Sequence, residues 1–387
     1  MPASLRSDRP DIAVVALSAR ALARSARRAG LRALAVDLFA DADTREHAAL
    51  CVRTKAAGGG LAFHRAALLD ALKAHAPEGL PVVLGAGFEH TPSLMRAIAR
   101  RNPILGASPE TVALLKNPFA FADLLARSGV PHPAVYEPSE PRPGAPVLSK
   151  RAGASGGAHI RVGAAGGARR YLQARVEGQA ISALFLADGA SARVLGFSEQ
   201  WTDPTPLAPY RFGGAAGPLQ VASDFTGTVS EALSLLVAAY GLRGLASADM
   251  IATGAAPGFI LLEINPRPGA TLDVFDRDPW PSLLALHLDA CDGRLPGALP
   301  PLSGASASAL VHAPRAVRAG AVPRPHWTAD WPSCDETVPA GAPFCTVFAA
   351  GPDHPAARRL VEKRRTALLD ALRSARVPAP TNPMVTQ

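Results

Sequence analysis

The first hundred residues alternate short apolar runs with amphipathic stretches. Residues 12–17, Ile-Ala-Val-Val-Ala-Leu, form an unbroken apolar run of the kind a strand buried on both faces shows. Ser18 is placed to cap a helix over 19–29, and Gly30 stops it where a left-handed residue is wanted. Residues 31–38 supply a second strand ending near Asp37, and a further strand and helix follow at 81–85 and 91–101. Strand–helix alternation of this kind predicts a parallel sheet with right-handed crossovers. Residues 1–106 therefore read as a small parallel α/β domain.

Beyond it the periods change. A helix is predicted from Ser108 past Lys116 and Asn117, interrupted or restarted at Pro118, and running to Ser128. Residues 138–146, with four prolines and a glycine, read as a connector, and 146–151 as a short strand before a glycine-rich loop. Stretches 171–186 and 192–200 alternate like antiparallel strands with a turn at 187–190. An amphipathic helix at 230–240 ends at Gly241, and 244–252 with 258–265 form a further hairpin, followed by a helix near 281–291. The remainder holds an Ala/Pro-rich segment, a β-like run at 343–349 and a charged helix at 355–374. The class is α/β, with an α+β middle, and the divisions fall at 1–106, 107–172, 173–295 and 296–387.

Composition narrows the function. The chain has 387 residues and is 48% hydrophobic, enough for a sizeable core. No run approaches the roughly 18 apolar residues of a membrane span. The first twenty residues lack the apolar core of a secretory signal, so a cytoplasmic protein with no membrane partner is expected. The net charge is +8, yet it is spread in doublets such as Arg27-Arg28, Arg100-Arg101 and Arg169-Arg170, and aromatics are 5% of the chain. That pattern lacks the basic–aromatic interleaving of nucleic-acid binders, and leaves open an anionic substrate drawn in by the field. Four widely spaced cysteines, Cys51, Cys291, Cys334 and Cys345, make neither a zinc nor a disulfide framework.

No GxGxxG follows the first strand. The carboxyl ends of a parallel sheet still mark a ligand edge, which puts Ser18, Ala19, Arg20, Asp37 and Gly87-Phe88-Glu89-His90 there. Each reads equally as a helix cap or loop residue. Four features further on stand in an informative order. Lys116 sits just before a helix. Lys150 ends a strand and runs into Gly153-Ala154-Ser155-Gly156-Gly157, whose unobstructed N–H groups suit nucleotide phosphates, or serve as a plain linker. It is not a Walker A motif, because the lysine precedes the glycines. Gln173 to Gly178 offers a backbone for an adenine, with Glu177 near a ribose or simply solvated. Finally, Asp249 lies on one strand of the hairpin and Glu263 and Asn265 on the other, i and i+2 on one face. Together they offer oxygens suited to Mg²⁺, and Arg267 follows as a bidentate donor for phosphate or carboxylate.

This ordered set resembles the ATP-grasp superfamily over roughly residues 108–290. Residues 262–269, Leu-Glu-Ile-Asn-Pro-Arg-Pro-Gly, are similar to its closing metal-binding strand, and Asp249 to its further metal carboxylate. The resemblance implies an ATP-grasp fold behind a small parallel α/β domain, with 107–172 and 173–295 as the two ATP-grasp subdomains and 296–387 packed on the core. It implies ATP and Mg²⁺, with Mn²⁺ as a substitute, held by Lys116, Lys150, Gly153, Ser155, Gly156, Gly157, Gln173, Val176 and Glu177 for the nucleotide and by Asp249, Glu263 and Asn265 for the metal. Lys150 and Arg267 become the catalytic residues of an ADP-forming ligase that activates a small-molecule carboxylate as its acyl phosphate and joins it to an amine. Two positions depart from the family pattern: Ala174 follows Gln173, and Gln179 follows the hinge glycine. A nucleotide-binding scaffold or sensor without catalysis is the alternative. The overall pattern is similar to uncharacterised carboligases, some of them in pathways to one-carbon carriers such as tetrahydromethanopterin or methylofuran, and by analogy implies a homodimer. Ser18, Arg20, Glu89, His90, Arg211 and Thr271 are candidate pocket residues, each readable also as a cap, loop or solvated residue, and His159 either touches phosphate or is an exposed loop histidine.

Overall fold

The computed structural model describes residues 9–58, 60–140, 144, 146–254 and 256–375. The extreme amino terminus and most of the proline-rich stretch 141–145 lie outside the described residues. The apolar runs of the first hundred residues build a four-stranded parallel sheet in the order Leu50–Arg53, Ala33–Asp37, Ile12–Val15, Val82–Leu84. Ala33–Asp37, Ile12–Val15 and Val82–Leu84 are buried throughout, which is why they read as continuous hydrophobic runs. The edge strand Leu50–Arg53 is half exposed and only four residues long, so its pattern is too weak to predict, as are those of the helices Ala42–His47 and Arg65–His75 on either side of it. The chain winds from Ile12–Val15 to one side and later returns to the other, leaving a crevice at the carboxyl ends of Ile12–Val15 and Val82–Leu84.

The first helix, Arg20–Arg28, is not capped by Ser18. Its N-cap is Ala19, whose N–H donates to Asp37 Oδ2 at 2.9 Å, while Ser18 Oγ is drawn instead to Asp330 Oδ1 at 3.0 Å. Gly30 ends the helix in the left-handed region, φ 74°. The next pair of helices follows the sequence closely. Ser108 Oγ accepts from Thr111 N to start Pro109–Leu115, and Asn117 Oδ1 accepts from Phe119 N and Ala120 N to start Pro118–Arg127. Proline at the first helical position restarts the helix rather than kinking it.

Residues 171–186 are not one strand. They divide at 175–178 into Arg170–Ala174, which belongs to a small antiparallel sheet with Val135–Tyr136, Val147–Arg151 and Arg161–Val162, and Gln179–Asp188, which belongs to a large one. The turn after Gln179–Asp188 also starts two residues later than its sequence implies. Ala187 and Asp188 stay in the strand, and the Asp188 carboxylate accepts from Ala190 N and Ser191 N to close the turn.

The large sheet has eight antiparallel neighbours in the order Phe259–Asn265, Arg243–Ala252, Gln179–Asp188, Ala192–Thr202, Phe212–Leu219, Ala305–His312, Pro343–Gly351, Thr328–Ala329. Two of its strands, FGGAAGPL and ASASALVH, consist mostly of glycine, alanine and serine and carry no hydrophobic alternation strong enough to predict. Helix Ser223–Tyr240, seven residues longer at its start than predicted, packs on one face beneath the hairpin. Helix His354–Ser374 covers the carboxyl-terminal strands with Ala357, Val361, Leu368 and Leu372. Among the described residues no helix is long and apolar enough to cross a membrane.

Candidate functional site

The hairpin Arg243–Ala252 and Phe259–Asn265 sets Asp249 directly opposite Glu263 and Ser247 opposite Asn265, with an irregularity in register just after Asp249. Asn265 ties the group together: its Nδ2 donates to Asp249 Oδ2 at 2.9 Å and its Oδ1 accepts from Lys116 Nζ at 2.9 Å. Lys116, at the carboxyl end of helix Pro109–Leu115, also reaches Glu263 Oε2 at 3.3 Å. The other oxygen of Asp249 accepts from Ser182 Oγ at 2.7 Å, on the adjacent strand, and from Gln200 Nε2 at 3.2 Å, on the strand beyond it. Burial and the facing Glu263 push the Asp249 carboxyl up to about 6. Burial acts on Glu263 in the same direction, but Lys116 and Lys150 outweigh it and hold that carboxyl below its ordinary value. Two opposed carboxylates and an amide oxygen suit a hard divalent cation, which would relieve their mutual repulsion. Among the described residues no group of three or more His, Cys, Asp or Glu side chains is placed to hold a metal ion; an ion on this pair would need further oxygen ligands, such as the phosphate oxygens and water that magnesium favours.

On one side of this pair lies a cavity of about 220 Å³. Its lining combines an apolar set, Phe121, Leu125, Val135, Ile181, Met250 and Leu261, with a polar set, Lys116, Lys150, Gln173, Tyr171, His159 and the loop 153–157. Lys150 leaves its strand opposite Tyr171. Burial lowers its pKa, against the opposing pull of Glu263 and Asp249. His159 lines the cavity rather than standing free in a loop. Burial brings it down to about 4, so it is a neutral imidazole near pH 7, and its buried Nδ1 has no hydrogen-bond partner. Gln173 is buried and faces the same space. Val176 and Glu177 are not among the lining residues, and Glu177 is exposed, because the chain leaves the small sheet there and turns into the large one.

The glycine loop is shaped by close approach. Gly153, Gly156 and Gly157 have φ of 73°, 72° and 69°, and a Cβ on Gly157 would stand 1.9 Å from the Tyr210 carbonyl oxygen. The Phe212 N–H donates to Gly156 O at 2.9 Å, so the loop is docked on the segment leading into Phe212–Leu219. Ser155 lines the cavity between these glycines.

On the other side of the acid pair opens a cleft of about 1040 Å³. It is bounded by the carboxyl edge of the parallel sheet (Leu17, Gly87, His90), by the small sheet, and by Ser247, Asn265, Arg267 and Thr271. Asp249 and Glu263 line both spaces. Arg267 Nε donates to Glu89 Oε1 at 2.6 Å, and Gly87 N donates to Glu89 Oε2 at 2.8 Å. Burial alone would raise the Glu89 carboxyl, but Arg267 and Lys116 bring it down to about 2. Of the other pocket candidates, His90 and Thr271 line the cleft, whereas Ser18, Arg20 and Arg211 do not. Arg20 is held by Asp273 and Asp330, and Arg211 pairs with Asp203. Asp37 accepts from three backbone N–H groups, those of Ala19, Phe39 and Ala40, and is a structural cap. Ser182 and Gln200, which orient Asp249, carry no motif; only the pairing of their strands beside it would reveal them.

Residues 116–271 match a sequence family described as the ATP-grasp domain. No curated protein matches the chain. Among solved structures, the Rhizobium etli pyruvate carboxylase T882A superposes with a TM-score of 0.70 at 15% identity, over 94% of this chain and 38% of that one. The chain thus spans well under half the length of that protein. The biotin carboxylase domain of Hydrogenobacter thermophilus 2-oxoglutarate carboxylase, solved with MgADP, ADP and bicarbonate, gives 0.66 at 13% identity, over 95% and 91% of the two chains. Carboxyaminoimidazole ribonucleotide synthase from Aspergillus clavatus, solved with ATP, gives 0.65 at 15% identity, over 95% and 100%. At these identities the likeness is one of fold, and it extends across both the parallel sheet and the eight-stranded sheet.

Proposed function

We propose that this chain, whose residues 116–271 form an ATP-grasp domain, is an ADP-forming ligase that activates a substrate carboxylate with Mg-ATP and joins it to an amine. The observation that carries the reading is that the smaller cavity and the larger cleft meet at a shared wall that includes the Asp249–Glu263 pair and part of the glycine loop. A triphosphate lying in the first with its adenine among Phe121, Met250 and Leu261 delivers its γ-phosphate to that wall. An acid lying in the second meets it there.

The chemistry follows from charge and position. A carboxylate oxygen attacks the γ-phosphorus, the bond to the β-bridging oxygen breaks, and ADP leaves an acyl phosphate behind. The amine then attacks the acyl carbon, the C–N bond forms, phosphate departs with the C–O electrons, and the amine gives up a proton. Magnesium, held by Asp249, Glu263 and Asn265 and by phosphate oxygens, would neutralise charge on the phosphates. Lys116 and Lys150 add fixed positive charge, in a site where preorganised groups cost no reorganisation during reaction. Arg267, steadied by Glu89, lines the cleft where the acyl phosphate forms. The loop 153–157 excludes water from that hydrolysable intermediate.

Thermal unfolding with ATP, with and without Mg²⁺, tests the nucleotide reading on wild type, Glu263→Gln and Lys150→Ala. A ligand at 100 times its Kd stabilises by about 2.7 kcal/mol. A magnesium-dependent shift in wild type that both variants lose is expected. ADP release is then followed with panels of acids and amines, those of one-carbon carrier coenzymes among the first. Equal shifts in all three proteins would sink the assignment of these residues, and ATP bound but never consumed would favour a scaffold.

A further inference from the structure

The cleft has a charge pattern that the ligase reading leaves unexplained. Arg151, Arg161, Arg169, Arg170 and Arg267 all line it, against only two carboxylates, Asp249 and Glu263, at its inner wall. Arg267 is neutralised by Glu89. The other four make no ion pair with a carboxylate among the described residues. Two of them are nevertheless fixed in place by neutral acceptors. Arg170 donates to Ser149 O at 3.1 Å, Ser149 Oγ at 3.0 Å and His159 O at 3.1 Å, and Arg161 donates to Ala158 O at 2.7 Å and Ile160 O at 2.9 Å. Guanidinium groups lining one cavity, two of them oriented and none of the four neutralised, form a receptor for anions. Burial, and then the nearness of Arg161 and Arg151, lower the pKa of Arg170, as a crowd of like charges should.

The geometry points to an acid substrate that carries a second anionic group, phosphoryl or carboxylate, received by Arg151, Arg161, Arg169 and Arg170 while the reacting carboxylate meets the Asp249–Glu263 wall. This deepens the ligase reading and rests on it. Arg151 lines both spaces and so faces nucleotide phosphates as well, but Arg161, Arg169 and Arg170 line the cleft and are absent from the lining of the nucleotide cavity, so nucleotide phosphates do not account for them.

Calorimetric titration of the full chain, saturated with Mg-ADP so that the nucleotide cavity is filled, provides the test. The probes are 3-phosphoglycerate, tricarballylate and the monoanion glycerate, against wild type and the double variant Arg161→Gln/Arg169→Gln. At least one polyanion should bind tenfold or more tightly than glycerate. The variant should lose tenfold or more of that affinity while keeping its Mg-ADP affinity within twofold. Preference for 3-phosphoglycerate marks a phosphorylated acid, and preference for tricarballylate a polycarboxylic one. Glycerate binding as well as the polyanions, no binding by any probe, or undiminished binding in the variant overturns the proposal. If wild type fails to bind Mg-ADP, the nucleotide reading has failed instead, and the same titration on the nucleotide-free protein still decides the anion site.

Discussion

The glycine loop offers a graded perturbation, because its glycines differ in what a methyl group would meet. Gly156 and Gly157 have nearly the same left-handed φ, 72° and 69°. A Cβ on Gly156 meets nothing within 4 Å, whereas on Gly157 it would stand 1.9 Å from Tyr210 O. Gly156→Ala therefore carries only the conformational cost of a left-handed L-residue, about 1–2 kcal/mol. If nucleotide binding requires the docked loop, that cost weakens Mg-ATP binding by roughly 5- to 30-fold. Gly157→Ala carries the same cost and a collision with backbone besides, which the loop can relieve only by undocking from Tyr210 and giving up the Phe212–Gly156 hydrogen bond. The loop then stays open, and Mg-ATP binding should fall well beyond the Gly156→Ala value. Calorimetric affinity measures the first effect, and limited proteolysis at the loop with and without Mg-ATP measures the second. Tm without nucleotide should change little, because the loop is a local element. Equal affinities for the two variants, or protection of the Gly157→Ala loop by nucleotide as strong as in wild type, would falsify the docking argument.

Two other perturbations probe the frame that holds the cleft. Asp41 caps helix Ala42–His47, and burial, with the nearby Asp330, raises its carboxyl from 3.8 to about 6. The folded state thus holds this proton more tightly than the unfolded one, so the group's contribution to stability falls as pH rises from about 4 to 6. Asp41→Asn keeps an oxygen to accept from Thr44 N, and should gain up to about 3 kcal/mol over wild type above pH 6 and nothing near pH 4. A Tm difference independent of pH would refute it. Arg20→Met should cost about 3–5 kcal/mol, since it leaves Asp273 and Asp330 buried without their partner. A urea midpoint corresponding to less than about 1 kcal/mol would show that the network is dispensable.

What the sequence made legible follows a physical line. Strands buried on both faces, such as Ile12–Val15, declare themselves by continuous hydrophobicity. Helices Pro109–Leu115 and Pro118–Arg127 declare themselves by Ser108 and Asn117. The hairpin of Asp249 and Glu263 is legible because charged side chains inside an apolar strand have no packing reason to be there. Strands that pack through alanine, glycine and serine, such as Ala305–His312, give no such contrast. Local patterns also miss long-range partners. Ser18 reads as a cap from its position beside a helix, but Asp330, 312 residues away, claims its hydroxyl. Arg20 reads as a ligand residue at a sheet edge, but two distant aspartates bury it. Glu177 reads as a ribose residue from its place after Gln173; it lies exposed where the chain crosses between sheets at 175–178, and Ala180 and Ile181 beyond it line the cavity.

These misses share a cause with the organisation of the site. Its elements come from separate sheets, and charge pairs with at least one buried partner register them. Arg267 beside the hairpin is joined to Glu89 beyond the parallel sheet, and Lys116 on a helix between the two sheets is joined to Glu263 and Asn265. A buried pair contributes little net stability against an apolar replacement, yet removing one partner is costly, so such pairs specify geometry more than they stabilise it. Here the geometry specified is the spacing between the nucleotide cavity and the cleft. Charges needed to fix that spacing are consumed in pairs; Arg161 and Arg170 in the cleft are not, and unpaired charge held in place by neutral acceptors is what a binding site for an anion requires before the anion arrives.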